Sequence, residues 1–420
     1  MMVFTSIYSV VDGLFVSNFV GSSAVAAINL IFPLIMVLGA IGFMLGAGGS
    51  ALVSKTMGEG DNERANAYFS MLVYVTFGVG LLISVAGQFA VPSIASLLGA
   101  EGQTYEYCVL YGRIMLAGQP FFILQNVFQS FFVTAAKPRL GLLVTAGAGM
   151  INIVLDAVFV FALKWGLAGA GAATIASQLL GGIFPVCYFF SKNDSLLRLT
   201  RTKFYGKALF KSVTNGASEF FSNVASAFVI MLYNYKIQQL VPGDDGVAAY
   251  GAIGYVMMIF YSMFMGYAVG SAPLIGYNYG ADNRQELKNL FKKSLIITAV
   301  SGLAMTALSE ALAYPIIKIF GYESELFEMT LRGFRIYSVA FSIAGYTVFA
   351  SSLFTALNNG LVSGIISFLR TLLFQTAAVM VVPIFLGIDG VWSATCFSEL
   401  LSLAVSVTFM VVYRKKYGYA

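Results

Sequence analysis

Apolar residues run along nearly the whole chain in stretches long enough to cross ~30 Å of hydrocarbon at 1.5 Å per residue. Twelve such stretches are predicted as helices, at 2–20, 25–54, 66–97, 105–134, 140–163, 169–190, 212–238, 247–277, 290–320, 326–357, 361–385 and 390–413. Several exceed the length needed, which implies tilt or short extensions beyond the bilayer. Short turn-like segments separate them: Gly21-Ser22-Ser23, Lys137-Pro138-Arg139, Pro242-Gly243-Asp244-Asp245-Gly246 and Asn358-Asn359-Gly360. One polar connection is longer, Ser191 to Lys211, and falls midway.

The pattern occurs twice. Gly49-Ser50-Ala51 returns as Gly270-Ser271-Ala272, and Gly166-Leu167-Ala168-Gly169 with Ala173-Thr174 returns as Gly387-Ile388-Asp389-Gly390 with Ala394-Thr395. Both copies lie 221 positions on, and Val25-Ala26-Ala27 returns as Val247-Ala248-Ala249 at 222. A half-length repeat in an apolar chain points to a transporter built from two bundles. The predicted fold is therefore an all-α integral membrane protein. Its twelve transmembrane helices form two six-helix lobes related by a pseudo-two-fold axis along the membrane normal. The lobes are 1–190 and 212–420, joined by a cytoplasmic linker at 191–211.

Composition strengthens this reading. The 420 residues are 59% hydrophobic and only 10% charged, against roughly 25% charged in soluble domains. With no histidine, His-based triads, His metal sites and histidine proton relays are excluded. Cys108, Cys187 and Cys396 lie far apart in apolar segments and suggest neither a disulfide framework nor zinc. The +5 net charge sits mostly in loops: seventeen of 24 Lys and Arg fall on one side if the ends of the second and sixth helices are cytoplasmic. The positive-inside rule then places the linker and both termini in the cytoplasm. Loop charge does not argue for a nucleic-acid partner, since no soluble basic face exists. Met1 opens directly on an apolar run, and the first helix is expected to lack its first turns.

Acids inside membrane helices are costly and are functional candidates by default. Five occur: Asp12, Asp156, Glu219, Glu310 and Glu399. Counting from the outer turns places Asp12, Asp156 and Thr174 at a similar depth, about 12–14 Å below the surface. Asn152 shares a helix face with Asp156 at i and i+4. Two carboxylates, an amide and a hydroxyl form an oxygen-rich set for a proton or a hard cation such as Na⁺. In the second half Asp12 aligns with Asn234, Asp156 with Ala377 and Asn152 with Leu373, while Thr174 keeps Thr395. The acids thus belong to one half. Glu219, among Ser218, Ser222 and Asn223, is either a second proton or substrate-cation site or faces a wet vestibule. Glu310 and Glu399 are expected to pair with a Lys, Arg or hydroxyl, and the repeated Arg113 and Arg335 to serve as scaffold.

Weaker signals are mostly structural. Asp282 with Gln285 fits a capping box, and Gly42-x-x-x-Gly46 permits close helix approach. No Walker motif is present, so transport powered by bound ATP is not expected. Methionines and aromatics, among them Met36, Met150, Met257 and Tyr8, are candidates for an adaptable apolar cavity that takes organic cations.

Four stretches together resemble the multidrug and toxic compound extrusion (MATE) family over essentially the whole chain. They are Tyr8-Ser9-Val10-Val11-Asp12-Gly13-Leu14-Phe15-Val16, Gly58-Glu59-Gly60-Asp61, Asn152-Ile153-Val154-Leu155-Asp156, and Gly166 through Gln178. The resemblance implies an antiporter that exports hydrophobic, often cationic compounds against inward Na⁺ or H⁺ flow. It implies a first-lobe cation site at positions matching Asp12, Asn152, Asp156 and Thr174, and a helix 7 glutamate, matching Glu219, used in part of the family. This chain lacks the further acid that some members carry in the core of helix 10.

The expectation is a non-enzymatic, cation-coupled drug antiporter of the cytoplasmic membrane, acting as a monomer, with no cofactor beyond the transported H⁺ or Na⁺. The alternative is a lipid-linked sugar flippase of a related two-bundle fold. Such a protein needs a cavity rich in Arg and Lys, and only Arg370 lies deep in a helix.

Overall fold

A computed structural model of the chain describes residues 1–5, 22–241, 243 and 245–420. The described chain is helical, in the order α1 (Ser22–Gly58), α2 (Asn62–Leu97), α3 (Gly102–Thr134), α4 (Pro138–Asp156), α5 (Gly166–Phe190), α6 (Gly206–Leu240), α7 (Asp245–Gly280), α8 (Arg284–Lys318), α9 (Ser324–Ser338), α10 (Phe341–Ala356), α11 (Gly360–Phe368) and α12 (Gln375–Tyr417). One π-helical turn, Ala157–Ala162, continues α4, and another, Leu369–Phe374, joins α11 to α12.

Eight described helices are long and apolar enough to cross a membrane, and α9 with α10, bent by 48°, make a ninth. The 58-residue run Gly360–Tyr417 is broken at Gly387, whose φ of 57° and ψ of −136° no helix contains. At 1.5 Å per residue an unbroken run would be nearly three bilayers long, so it supplies two spans. The 35-residue α6 is long enough to cross and is more polar, carrying Glu219, Ser222, Asn223 and Asn234. Most of the expected first helix, including Tyr8 and Asp12, lies outside the described residues. Among the described residues these make eleven spans, in keeping with the all-α twelve-helix architecture expected from the sequence. Side chains such as Leu82, Phe89, Leu97 and Ile319, each more than 70% exposed, form the apolar exterior that lipid requires.

The chain divides into two compact units, Met1–Gly216 and Ala217–Ala420. The division falls inside α6, which begins at Gly206 rather than at the expected 212. Its first turns belong to the N-terminal unit for a local reason. A Cβ at Gly216 would stand 1.9 Å from the Met44 carbonyl oxygen, and one at Gly48 only 2.0 Å from that of Ser212. Two glycines therefore let α6 and α1 touch backbone to backbone, as small residues do where lipid supplies no hydrophobic drive between helices. The connection ahead of α6 is tied along α2: the Arg198 N–H donates to Asn66 Oδ1 at 2.6 Å and the Thr200 N–H to Ser70 Oγ at 2.8 Å.

Within the N-terminal unit α3 is the axis, packed against α1, α2 and α5. Phe69, Phe128, Phe131 and Phe189 fill the space around its C-terminal half, with Phe69 edge-on to Phe131 at 4.8 Å. The C-terminal unit closes around Phe334, Phe341 and Trp392, the last against Gly333.

Backbone geometry carries the repeat further than residue identity does. Left-handed residues recur at Gly60 and Asp282, Gly99 and Gly321, and Ala136 and Asn358, each pair 222 positions apart, and at Gly166 and Gly387, 221 apart. Caps recur as well. Asp61 Oδ1 accepts from the Arg64 N–H at 2.9 Å, and Asn283 Oδ1 from the Glu286 N–H at 3.1 Å. The cap of α8 is thus Asn283 with Glu286, one residue beyond the expected Asp282 and Gln285. Asp282 takes the left-handed turn (φ 51°) and pairs with Arg284 at 2.6 Å instead.

Candidate ion-coupling site

Asn152 and Asp156 sit one turn apart near the end of α4, 1% and 0% exposed, and Asp156 immediately precedes the π turn. The amide of Asn152 has no hydrogen-bond partner for its nitrogen or its oxygen among the described residues. A buried amide in that state lacks the interactions that offset its desolvation, and points to water or an ion as the missing partner. Thr174 is half-buried on α5, and its hydroxyl donates to the Ala170 carbonyl at 3.0 Å. With its proton committed to its own helix, the hydroxyl offers lone pairs outward, which suits a cation rather than an acceptor. The fourth member of the expected set, Asp12, is outside the described residues.

The C-terminal unit has a neutral counterpart that sequence register concealed. Helices α4 and α11 begin 222 positions apart, at Pro138 and Gly360. The π turn Leu369–Phe374 then inserts one residue on the C-terminal side only, because the matching turn in α4 comes after Asp156. Asn152 therefore corresponds to Gln375 and Asp156 to Val379, not to Leu373 and Ala377. The side chains agree with this register. Gln375 Nε2 donates to Tyr233 Oη at 2.6 Å and to Thr395 Oγ1 at 2.9 Å, and the two hydroxyls lie 3.0 Å apart. The Tyr233 ring stacks on Tyr250 at 4.9 Å. Where the N-terminal unit has a buried acid and an orphaned amide, the C-terminal unit has an uncharged, closed network.

Glu399 and Glu310 each pair with an arginine and a hydroxyl, as expected. Glu399, 4% exposed, takes a bidentate contact from Arg370 (Nη2 2.8 Å, Nε 3.0 Å to Oε1) and a 2.5 Å hydrogen bond from Thr347 Oγ1. The Arg370 guanidinium lies over Tyr261, 5.2 Å from the ring centre. Glu310 pairs with Arg335 at 3.7 Å and accepts from Ser338 at 3.0 Å. The equivalent place in the first repeat holds Gln88, whose amide donates to the Arg113 backbone carbonyl at 2.9 Å, so both repeats tie these two helices at the same place. Glu219 is half-buried on α6, with its carbonyl accepting from Asn223 Nδ2 at 2.8 Å. Of the candidate cavity residues, Met36 is half-buried and Met150 is 68% exposed, both in the N-terminal unit. Met257 is packed in the core of the C-terminal unit, and Tyr8 lies outside the described residues. A recess of about 350 Å³ in the C-terminal unit, lined by Glu328, Arg332, Asp389 and Trp392 among others, contains none of the predicted site residues.

The MatE family model matches residues 1–158 and 220–380. The chain belongs to this family. Two curated relatives are multidrug export proteins named MepA. The one from Staphylococcus saprophyticus is 24% identical over 427 residues, covering 98% of this chain and 91% of the relative. The one from Staphylococcus haemolyticus is 28% identical over 331 residues, 77% of this chain and 72% of its own. Among solved structures, an outward-facing multidrug resistance MATE transporter superposes with a TM-score of 0.94 at 22% identity, covering 100% of this chain and 95% of that one. A second, a MOP superfamily transporter from Pyrococcus furiosus, reaches 0.90 at 23% identity, covering 99% and 93%. At these identities the superpositions establish the MATE fold alone.

Proposed function

We propose that this MatE-family protein is a multidrug efflux antiporter, exporting hydrophobic and cationic organic compounds against inward H⁺ or Na⁺ by alternating access. The observation that carries the coupling role is the buried Asp156–Asn152 pair with its orphaned amide, set against a closed neutral network at the same place in the other repeat. Asp12, Asn152, Asp156 and Thr174 bind the ion. Filling the site neutralises buried charge, repacks the first helix and weakens substrate binding, and the lobes exchange outward and inward openings. Glu219 is a second cation or substrate site. The protein works as a monomer in the cytoplasmic membrane with both termini inside, needs no cofactor and performs no chemistry on its substrate.

A lipid-linked sugar flippase is disfavoured by the electrostatics. Its cavity needs free basic groups for a pyrophosphate, and the deep Arg370 is committed to Glu399. The test is efflux of a fluorescent organic cation from proteoliposomes, with Na⁺ and pH gradients imposed separately. Movement driven by one gradient supports antiport and names the ion. Movement under neither, with a lipid-linked sugar crossing instead, overturns it.

A further inference from the structure

The connection from α5 to α6 is a strap fastened along the first turns of α2. Besides the contacts to Asn66 and Ser70, Thr202 Oγ1 donates to the Ala67 carbonyl at 2.9 Å and Tyr74 Oη to the Thr200 carbonyl at 3.2 Å. The Leu199 N–H donates to the Phe189 carbonyl at 2.8 Å. Leu197 and Leu199 are buried beneath the strap. The alternation of an extended chain then turns Leu196, Arg198 and Thr200 outward.

Charge on that outer face is one-sided. From Ser191 to Phe210 the chain has five basic residues, Lys192, Arg198, Arg201, Lys203 and Lys207, all exposed, and one acid. That acid, Asp194, is bonded to Lys137. The side chains of Arg201, Lys203 and Lys207 have no hydrogen bond or ion pair among the described residues. Of the acids around the start of α2, Glu59 pairs with Lys55 at 3.2 Å and Asp61 caps the helix, which leaves Glu63. Interleaved with the cations are Leu196, Phe204 and Phe210, each more than half exposed.

Depth decides what this face meets. Helix α2 has 36 residues, about 54 Å at 1.5 Å per residue against ~30 Å of hydrocarbon, so ~12 Å stands outside at each end. The strap is fastened between Asn66 and Tyr74, roughly 6–18 Å along the helix, and therefore straddles the edge of the hydrocarbon, at the level of the headgroups. We propose that the strap is a docking site for anionic phospholipid of the adjoining leaflet, its basic groups on the headgroup phosphate and Leu196, Phe204 and Phe210 in the acyl boundary. Phosphate draws Arg and Lys, each contributing about fivefold in affinity near an anionic surface. Apolar side chains between the cations favour a lipid over a free anion. Lipid docking there requires neither Asp156 nor a particular coupling ion.

Purified full-length protein in nonionic detergent is mixed with phosphatidylglycerol and phosphatidylcholine, and bound lipid is counted by native mass spectrometry. Wild type is expected to retain phosphatidylglycerol over phosphatidylcholine by about tenfold or more at low salt, and by less as salt rises. Arg201→Gln and Lys203→Gln each reduce that preference about fivefold, and Arg201→Lys, which keeps the charge, preserves it. The control Lys292→Gln/Lys293→Gln, on α8, stays within about twofold of wild type, since its charges lie off the strap. Thermal shift checks folding, and Lys207→Gln replaces either strap variant that unfolds. Equal retention of the two lipids by wild type overturns the proposal. So does a loss in the control as large as in Arg201→Gln. Release of phosphatidylglycerol by inorganic phosphate, and not by chloride at the same ionic strength, identifies a free-anion site and overturns lipid docking.

Discussion

The two halves of this molecule share a backbone and diverge in where they place charge. Near the end of α4 the N-terminal unit buries Asp156 beside an amide with no partner among the described residues, while Gln375, Tyr233 and Thr395 satisfy one another in the C-terminal unit. One turn inward the arrangement inverts: the C-terminal unit carries a complete ion pair, Arg370–Glu399, and the N-terminal unit carries neutral glutamines. Inside a membrane a closed network or a paired charge is a scaffold, because it asks for nothing more. An orphaned buried amide beside an acid asks for a ligand. On the proposed reading, ion binding belongs to the lobe with the orphaned amide and rigidity to the other.

The comparison breaks most visibly where the ion pair is cut. Glu399→Gln leaves Arg370 buried without its counter-charge, and a loss of about 3–5 kcal/mol is expected, read as a collapse of thermal stability in detergent. Gln178→Ala, at the matching position of the first repeat, is expected to cost less, since it strands no buried charge. Next comes the helix crossing that holds α6 on the N-terminal unit. Gly216→Ala drives a methyl group into the Met44 carbonyl, a backbone clash that no rotamer relieves, at about 1–3 kcal/mol. Tyr233→Phe removes one hydroxyl from the closed network and is expected to cost about 1 kcal/mol while leaving ion-driven transport intact. An equal loss of coupling in Tyr233→Phe and Asp156→Asn would erase the functional difference between the lobes.

The smallest effect belongs outside the membrane. Asp194 bonds Lys137 Nζ at 2.6 Å, and that ammonium holds its carboxyl below the usual aspartate range. A depressed folded value means the contact contributes above the ordinary aspartate pKa and is lost as pH falls through the lowered one. Melting curves of wild type and Asp194→Asn are thus expected to differ slightly at neutral pH and to converge in acid. The pair is exposed to water, so the difference stays small.

Much of this was legible in the residues. Apolar run length marked the spans, because a bilayer of fixed thickness sets it, and the 221–222 repeat marked the lobes, because each lobe repeats one helical unit. Asn152, Asp156 and Thr174 stood out as polar groups where lipid tolerates few, and Glu399 met the arginine it was expected to need. The second site did not stand out. Tyr233 and Gln375 are ordinary in composition, and their match to the first half is hidden by a π turn that slides the register. That extra residue is accommodated by packing, so counting along the chain assigned Leu373 and Ala377 instead. The cap at Asn283 was missed by one residue for a similar reason: the left-handed turn at Asp282 moves the helix start. A repeat search allowing one-residue slips within helices would have paired Asn152 with Gln375.

The most direct test of the central claim is ion-driven efflux from proteoliposomes by Asp156→Asn and Gln375→Ala, compared with wild type at equal incorporation. The account predicts that Asp156→Asn abolishes movement driven by the coupling gradient, while Gln375→Ala keeps it at a rate within a few-fold of wild type. Coupled efflux that survives in Asp156→Asn, or is lost only in Gln375→Ala, would contradict it.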